Sequence, residues 1–372
     1  MRKTCRAWTN DEALGASEND LGRRSVRIRL DKLSELAGEI VAQKAESESL
    51  KSTVDSNADS SSWIQWDEEG WHYSGKGFEG TQAQRKERVA LYLLALDAIN
   101  FCFWPLPSSD ESIASTEIKT NLLEYDHLSI AMKKMAEADH GNRDVGYVFS
   151  PKNLASMDAS KMTTLFESHL DPTKYPLPNI AKRAMLWKEL GQVLLEKFDG
   201  SATALLDASQ QDASKLVELM AASFPGFRDE VYVPASQGQQ HIVFLKRAQI
   251  FVGDVNAALQ LRLEGMDKLT TFADYRVPQI LRHKGVLEYL PSLAKKVDQE
   301  QEIEKGSYDE ISIRASTVVA VEELVKFLNE KHNTKETPFT DVTVDWYLWQ
   351  VGERMNQEGK MKPFHRVRTH FY

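Results

Sequence analysis

Cysteine is scarce in this chain: Cys5 and Cys102 are the two present in 372 residues. No CxxC pair occurs, so neither a disulfide framework nor a Cys/His set at zinc spacing is expected. The nine histidines are scattered and form no HExxH. These gaps predict a reducing compartment, no structural metal and no bound cofactor of the metal kind. A basic surplus is missing too. Lys and Arg total 46 against 55 Asp and Glu, a formal net charge of −9. Duplex-binding proteins usually meet the phosphates with excess positive charge, so duplex nucleic acid is a poor partner, although a local basic pocket stays open. No long apolar run survives inspection either. The best, residues 89–106, is interrupted by Asp97, Asn100 and Pro105, which suits a buried helix better than a membrane span. The first residues lack the basic-then-apolar pattern of a secretory signal. Together these readings predict a cytoplasmic chain with no membrane contact. Nothing in the sequence sets its oligomeric state.

With 42% hydrophobic residues, the chain can bury a sizeable core. Residues 1–24 are polar and aperiodic and read as a tail. Val26, Ile28 and Leu30 alternate like a short extended piece. A helix with Leu33, Leu36, Ala37, Ile40 and Val41 on one face follows, with Asp31 as its cap. Residues 46–62, rich in Ser, Asp and Glu, read as a flexible connection, so residues 1–62 form an N-terminal tail, short helix and linker. Residues 63–372 form the main domain. Trp63, Trp66 and Trp71 open it, and a long helix over 82–100 runs into "NFCFWPLP". Further helices are predicted from Asn179 to Gly200, over 213–223, and from Lys246 with Ile250, Phe251, Val255 and Leu259 on one face. Residues 230–245 read as a hairpin turning at Gly238. Pro278 suits the first turn of another helix. Ile311, Val318, Val321, Val325 and Leu328 mark one more, and Asp341 can cap the next, which carries Asp345, Trp346 and Trp349. No internal repeat and no βαβ alternation occur. The fold class is mainly α, a single large helical domain with a small β-hairpin.

Residues 75–80, "GKGFEG", match G-x-G-x-x-G, and Asp97 lies near the offset of a ribose-binding acid. That motif needs a buried strand before it, and "WDEEGWHYS" stands there instead. Asp97 also falls inside a helical run. The match reads as a glycine-rich loop, not a dinucleotide site.

The stretch with most chemistry is residues 270–282, "TTFADYRVPQILR". Asp274 lies among apolar neighbours just before the helix that Pro278 begins, where unpaired backbone N–H groups would keep a carboxylate ionised. Such a carboxylate can activate water or stabilise an oxocarbenium ion. It can equally cap that helix or pair with Arg276, and from spacing alone capping is the simpler reading. Lys246 and Arg247 sit at a predicted helix N-terminus, which disfavours cations unless an anion such as phosphate joins them; a later helix start would make them surface charges. Phe101, Phe103, Trp104, Tyr275 and Trp349 could stack on a planar base or belong to the core. Asp229 in "FPGFRD" and Asp345 in "VDWYLW" are acids among aromatics, suited to the edge of a guanine-like base or to capping and salt bridges. The C-terminal "PFHRVRTHFY" gathers His365, Arg366, Arg368 and His370.

The blocks "INFCFWP", "FPGFRD", "VFLKRAQI", "LTTFADYRVPQIL", "VDWYLW" and "PFHRVRTHFY" occur in the order seen in the queuosine-salvage proteins, and from residue 63 onward the chain resembles that family. The resemblance implies a mainly helical fold similar to helix-hairpin-helix DNA glycosylases. It implies hydrolysis of the N-glycosidic bond of queuosine 5′-monophosphate, releasing queuine, with no metal or organic cofactor. The family's catalytic aspartate is the one before Tyr in "FADYRVPQ", here Asp274. The resemblance places the base pocket among Asn100, Phe101, Trp104 and the acid of "FRD", Asp229. In the mechanism expected for that reaction, aromatics, Tyr275 and Trp349 among them, hold the base, and Asp229 or Asp345 binds its edge or its amine. The phosphate maps onto Lys246. Two other functions stay open: a nucleic-acid repair glycosylase on the same scaffold, which the net charge disfavours, and a non-catalytic queuosine- or queuine-binding protein, which would not need Asp274.

Overall fold

A computed structural model describes residues 1–9, 25–51, 73–104, 123–139, 147–235, 238–332 and 338–372. Trp63, Trp66, Trp71 and residues 52–62 of the expected connection lie outside the described residues, whereas residues 46–51, expected in that flexible connection, continue the helix that begins at Leu30. In chain order the helices are α1 (Arg2–Thr9), α2 (Leu30–Lys51), α3 (Gln82–Ala98), α4 (Tyr125–Ala138), α5 (Pro151–Ala155), α6 (Ala159–Glu167) and α7 (Ile180–Lys197). They continue with α8 (Ala202–Ala208), α9 (Ala213–Ser223), α10 (Lys246–Leu259), α11 (Arg276–His283), α12 (Pro291–Asp298), α13 (Tyr308–His332) and α14 (Asp341–Gln357). The strands are β1 (Val26–Ile28), β2 (Glu230–Ala235), β3 (Gly238–Val243), β4 (Leu287–Tyr289), β5 (Glu302–Ile303) and β6 (Arg366–Val367). They form two-stranded sheets β1–β4 and β2–β3, both antiparallel, and the parallel pair β5–β6. The class is mainly α, as expected.

The chain forms two compact units. The first comprises residues 1–68, 229–246 and 265–368, and the second residues 69–228, 247–264 and 369–372. In the first, α13 is the central helix. Ile311, Ile313, Ala315, Val318, Val319, Ala320, Val321 and Leu324 are all buried, so it is apolar nearly all round. Helices α1, α2, α11 and α14 pack against it. β2 and β3 pair in register from Glu230↔Val243 to Ala235↔Gly238, which is the expected hairpin.

Helix α1 departs from the sequence reading, which leaves these residues in a tail. Trp8 stacks on Tyr308 of α13 with centroids 5.5 Å apart, and Arg6 pairs with Glu322 and Glu323 at 2.6 Å. Arg2 pairs with Asp341 at 3.1 Å and donates to the carbonyls of Asp267 and Leu269 at 2.8 and 2.7 Å. The N-cap of α14 also differs by one position. Thr340, not Asp341, accepts the backbone N–H of Thr343 and completes a capping box.

In the second unit, α3 buries every residue from Val89 to Ala98. Thr81 and Gln84 form its capping box, so the helix starts where the apolar run approaches. Helix α7 packs on α5 so closely that a Cβ at Gly191 would lie 2.2 Å from the Ala155 amide nitrogen. The G-x-G-x-x-G segment is a single 3-10 turn at Lys76–Phe78, and Gly77 abuts Ala136. Asp97 lies within α3, so the segment does not form the strand–turn–helix of a dinucleotide site.

Candidate active site

In the first unit, the segment from Leu269 to Arg276 brings the acids together. Phe272 and Ala273 are buried, as their apolar character demands. Asp274 stands immediately before α11. One carboxylate oxygen, Oδ1, accepts the backbone N–H groups of Arg276 and Val277 at 2.8 and 2.9 Å. Pro278 follows and has no N–H to satisfy, which fits the first turn. The capping role is therefore real, but it uses one oxygen. Oδ2 makes no hydrogen bond among the described residues, and Asp274 is 8% exposed. Two helix-terminal N–H groups thus fix Oδ1 and with it the carboxylate plane, and Oδ2 is left to face other groups.

Asp345, one turn into α14, is tied to the same segment. Its Oδ1 accepts the Thr271 hydroxyl and the Phe272 N–H, the latter at 2.7 Å. Its Oδ2 makes no hydrogen bond among the described residues. Burial pushes this carboxyl well above the usual carboxylate range, and the nearby negative charge of Asp274 pushes it further; Thr271, Phe272 and the positive charge of Lys246 act the other way. Asp274 and Asp345 thus lie within electrostatic reach of each other and have different environments.

Asp229 is engaged on all sides. Its carboxylate receives Nη1 and Nη2 of Arg314 at 2.9 and 2.6 Å, and its Oδ2 also accepts the Lys246 backbone N–H at 3.2 Å. Its carbonyl accepts the N–H groups of Phe244 and Leu245. This is the salt-bridging and capping reading of Asp229. It also supplies a protein anion at the start of α10, which begins at Lys246 as expected. Lys246 is buried, so it is no surface charge. Tyr275 and Trp349 are half-buried; the Tyr275 ring lies 4.6 Å from that of Phe364. Trp349 follows Asp345 by one helical turn and shares its face.

The remaining expected residues belong to the second unit. Asn100, Phe101, Phe103 and Trp104 are all buried. Two buried arginines hold this segment. Arg183 of α7 donates to the carbonyls of Ile99, Phe101 and Cys102, the last two at 2.6 and 3.1 Å, and its guanidinium lies 4.3 Å from the Phe101 ring centroid. Arg247 donates to the carbonyls of Ala98 and Gly226 and lies 5.5 Å from the same ring. Cys102 adopts φ 42° and donates its N–H to the Tyr372 carbonyl at 3.1 Å. Arg247 is thus buried against carbonyls and is not exposed at a surface.

Sequence reasoning missed Arg314, Thr271 and Arg183. Arg314 offered a signal: it is a lone base inside "ISIRASTVVAV", where a charge on an apolar helix needs a buried partner. Thr271 and Arg183 carried none, because their partners are fixed only by the fold.

The family model described as queuosine salvage protein matches residues 81–372. Curated relatives named queuosine 5′-phosphate N-glycosylase/hydrolase are similar over most of their length. The Dictyostelium discoideum protein is 35% identical, covering 82% of this chain and 85% of its own. That of Sphaerobacter thermophilus is 34% identical, covering 77% and 82%, and that of Mus musculus is 30% identical, covering 76% and 81%. The chain belongs to the queuosine salvage protein family.

Proposed function

From that membership we propose that the chain hydrolyses the N-glycosidic bond of queuosine 5′-monophosphate and releases queuine. The observation that carries the reading is the divided carboxylate of Asp274: Oδ1 is fixed by two backbone N–H groups, and Oδ2 is left over. A group held this way is oriented before substrate arrives, as electrostatic catalysis requires. Queuine is a 7-deazaguanine, so carbon replaces N7 and that position cannot be protonated to help the base depart. The sugar side must then supply more stabilisation. Asp274 faces the positive charge developing at C1′, and directs water to that carbon or attacks it.

Of the two acids considered for the base, Asp345 keeps an oxygen uncommitted among the described residues, whereas Asp229 is occupied by Arg314. Tyr275 and Trp349 serve as aromatic contacts in this reading. Lys246 holds the 5′-phosphate. The part of Asn100, Phe101 and Trp104 in binding the base is carried over from the family's motif. The same reading takes the helical scaffold as kin to the helix-hairpin-helix DNA glycosylases and the reaction as cytoplasmic, needing no duplex nucleic acid.

The test is Asp274→Asn. It preserves shape and removes charge, and should lower queuine release by about 10²-fold or more while queuine still binds. Turnover near that of the unaltered protein would remove Asp274 from the chemistry. Wild-type protein that binds queuine but never releases it from the nucleotide would instead support the carrier reading.

A further inference from the structure

Hydrolysis of the nucleotide has a proton requirement on the base side. The C1′–N9 bond breaks and its electron pair goes to the base, while water gives hydroxide to C1′ and loses a proton. The departing base must gain a proton, and with carbon at position 7 it has to come to one of the remaining ring atoms. A suitable donor is an acid that is neutral at working pH, buried, and has an oxygen free of protein contacts.

Among the described residues of the first unit, the buried carboxyl residues are Asp229, Asp274, Glu310, Asp341 and Asp345. Arg314 engages Asp229 at 2.6 Å and faces Glu310 at 3.9 Å, and Arg2 pairs with Asp341 at 3.1 Å. Asp274 and Asp345 alone among them take part in no ion pair among the described residues. Both are anchored by Oδ1 to one short stretch of chain. Thr271 and Phe272 hold Asp345, and the backbone just past Asp274 holds Asp274. Their environments differ in one respect. Asp274 is held by two helix-terminal N–H groups and is 8% exposed. Asp345 is 3% exposed and near the charge of Asp274. Two like carboxyls at close quarters do not both ionise readily, so the less solvated one keeps its proton.

We propose that Asp345 is the general acid of this reaction: its Oδ2 carries a proton and passes it to the departing base, while Oδ2 of Asp274 takes a proton from the attacking water. The proton then returns from Asp274 to Asp345 through solvent, and the pair is reset. The balance is one water consumed, one glycosidic bond broken, and no oxidant or further reactant used. The inference rests on the hydrolase reading and adds a second acid to it. The charged groups acting on Asp345 are consistent with this state. Asp274 holds the proton on, and Lys246 opposes it. From the elements packed on α14, Arg276 of α11 is taken by Glu353 at 2.6 Å, and Arg314 of α13 by Asp229.

The experiment measures kcat and KM for queuosine 5′-monophosphate from about pH 5 to pH 10, with queuine affinity measured separately, for wild type, Asp345→Asn, Asp345→Glu and Asp274→Asn. A general acid must be protonated, so wild-type kcat should fall on the alkaline side. Asp345→Asn keeps a hydrogen-bond donor but cannot transfer a proton. It should lose about 10²- to 10⁴-fold in kcat with KM and queuine affinity little changed, and its alkaline decline should vanish. Asp345→Glu should recover part of the loss and restore the decline. Three results would overturn the proposal: near-normal kcat in Asp345→Asn, an unchanged alkaline decline in that variant, or a loss confined to KM and queuine affinity. Should neither Asp345 variant fold, a wild-type kcat that stays flat across the alkaline range overturns it, and a decline supports it. Failure of the parent reading looks different: wild type releases no queuine, or Asp274→Asn remains active.

Discussion

Arg314 grips Asp229 through both Nη atoms, at 2.9 and 2.6 Å, and its Nε reaches the carbonyl of Ala273 at 2.9 Å. One guanidinium thus joins the residue that caps α10 to the peptide that precedes Asp274. Its planar fork suits three simultaneous contacts, and a lysine offers no such geometry. The Phe244 ring lies 4.0 Å from the guanidinium carbon, so the pair is enclosed and its charges depend on each other.

The first prediction concerns this link. Removing one partner of a buried pair leaves a charge without compensation, at a cost of about 3–5 kcal/mol. Arg314→Met should lower the unfolding free energy by that order in denaturant titration. Arg314→Lys keeps the charge and loses the fork, so it should lower kcat more than it raises KM. Equal effects on both constants, or none, would remove Arg314 from the positioning of Asp274.

Much of this arrangement was legible in the sequence where local chemistry decides. The apolar run before Asn100 is α3, the spacing of Ile250, Phe251, Val255 and Leu259 marks α10 from Lys246, and β2–β3 is a hairpin. Asp274 was legible as a carboxylate before a proline-started helix, although only the fold reveals that capping engages a single oxygen. The rest depends on partners far apart in the chain. Arg314 and Asp229 are 85 positions apart, and Thr271 and Asp345 are 74 apart. No local pattern reports such pairs. Helix α1 escaped because Cys5 and Trp8 are too few to show a period; its stability comes from Tyr308, Glu322, Glu323 and Asp341. Thr340 and Asp341 are both good caps; Thr340 takes the role, while Asp341 pairs with Arg2.

The second prediction concerns pH. Burial lowers the His365 imidazole from 6.5 to about 3, with Arg314 adding to the effect. The folded protein therefore favours neutral His365, and the unfolded chain binds the proton more readily. The stabilisation is fully present above about pH 6.5 and is lost as pH falls towards about 3. His365→Gln stays neutral throughout. Its unfolding free energy should fall less steeply than that of wild type across this window, as measured by denaturant titration at fixed pH values. Parallel curves would show that His365 titrates alike in both states.

The last prediction concerns the phosphate. Lys246 opens α10, is buried, and acts electrostatically on Asp345, so its charge lies near the proposed chemistry. Asp229 already gives the helix end one anion through the Lys246 N–H, so a ligand anion is not demanded by the helix end alone. The ammonium is the part to test. If it holds the 5′-phosphate, the monophosphate should be processed far better than the nucleoside. Lys246→Ala should then erase most of that preference and barely affect the nucleoside. A hydrogen bond to a charged group is worth about 1.5–3 kcal/mol, or roughly 10- to 100-fold in kcat/KM. Measuring kcat/KM for both substrates with both proteins closes a four-value cycle. Should both substrates lose equally, Lys246 is structural. Arg247 is then a poor substitute, because it is buried against the carbonyls of Ala98 and Gly226. Arg366 already pairs with Glu300 at 3.0 Å, so a phosphate there would have to compete with that carboxylate. Loss of the preference in Lys246→Ala alone therefore assigns the phosphate to this residue.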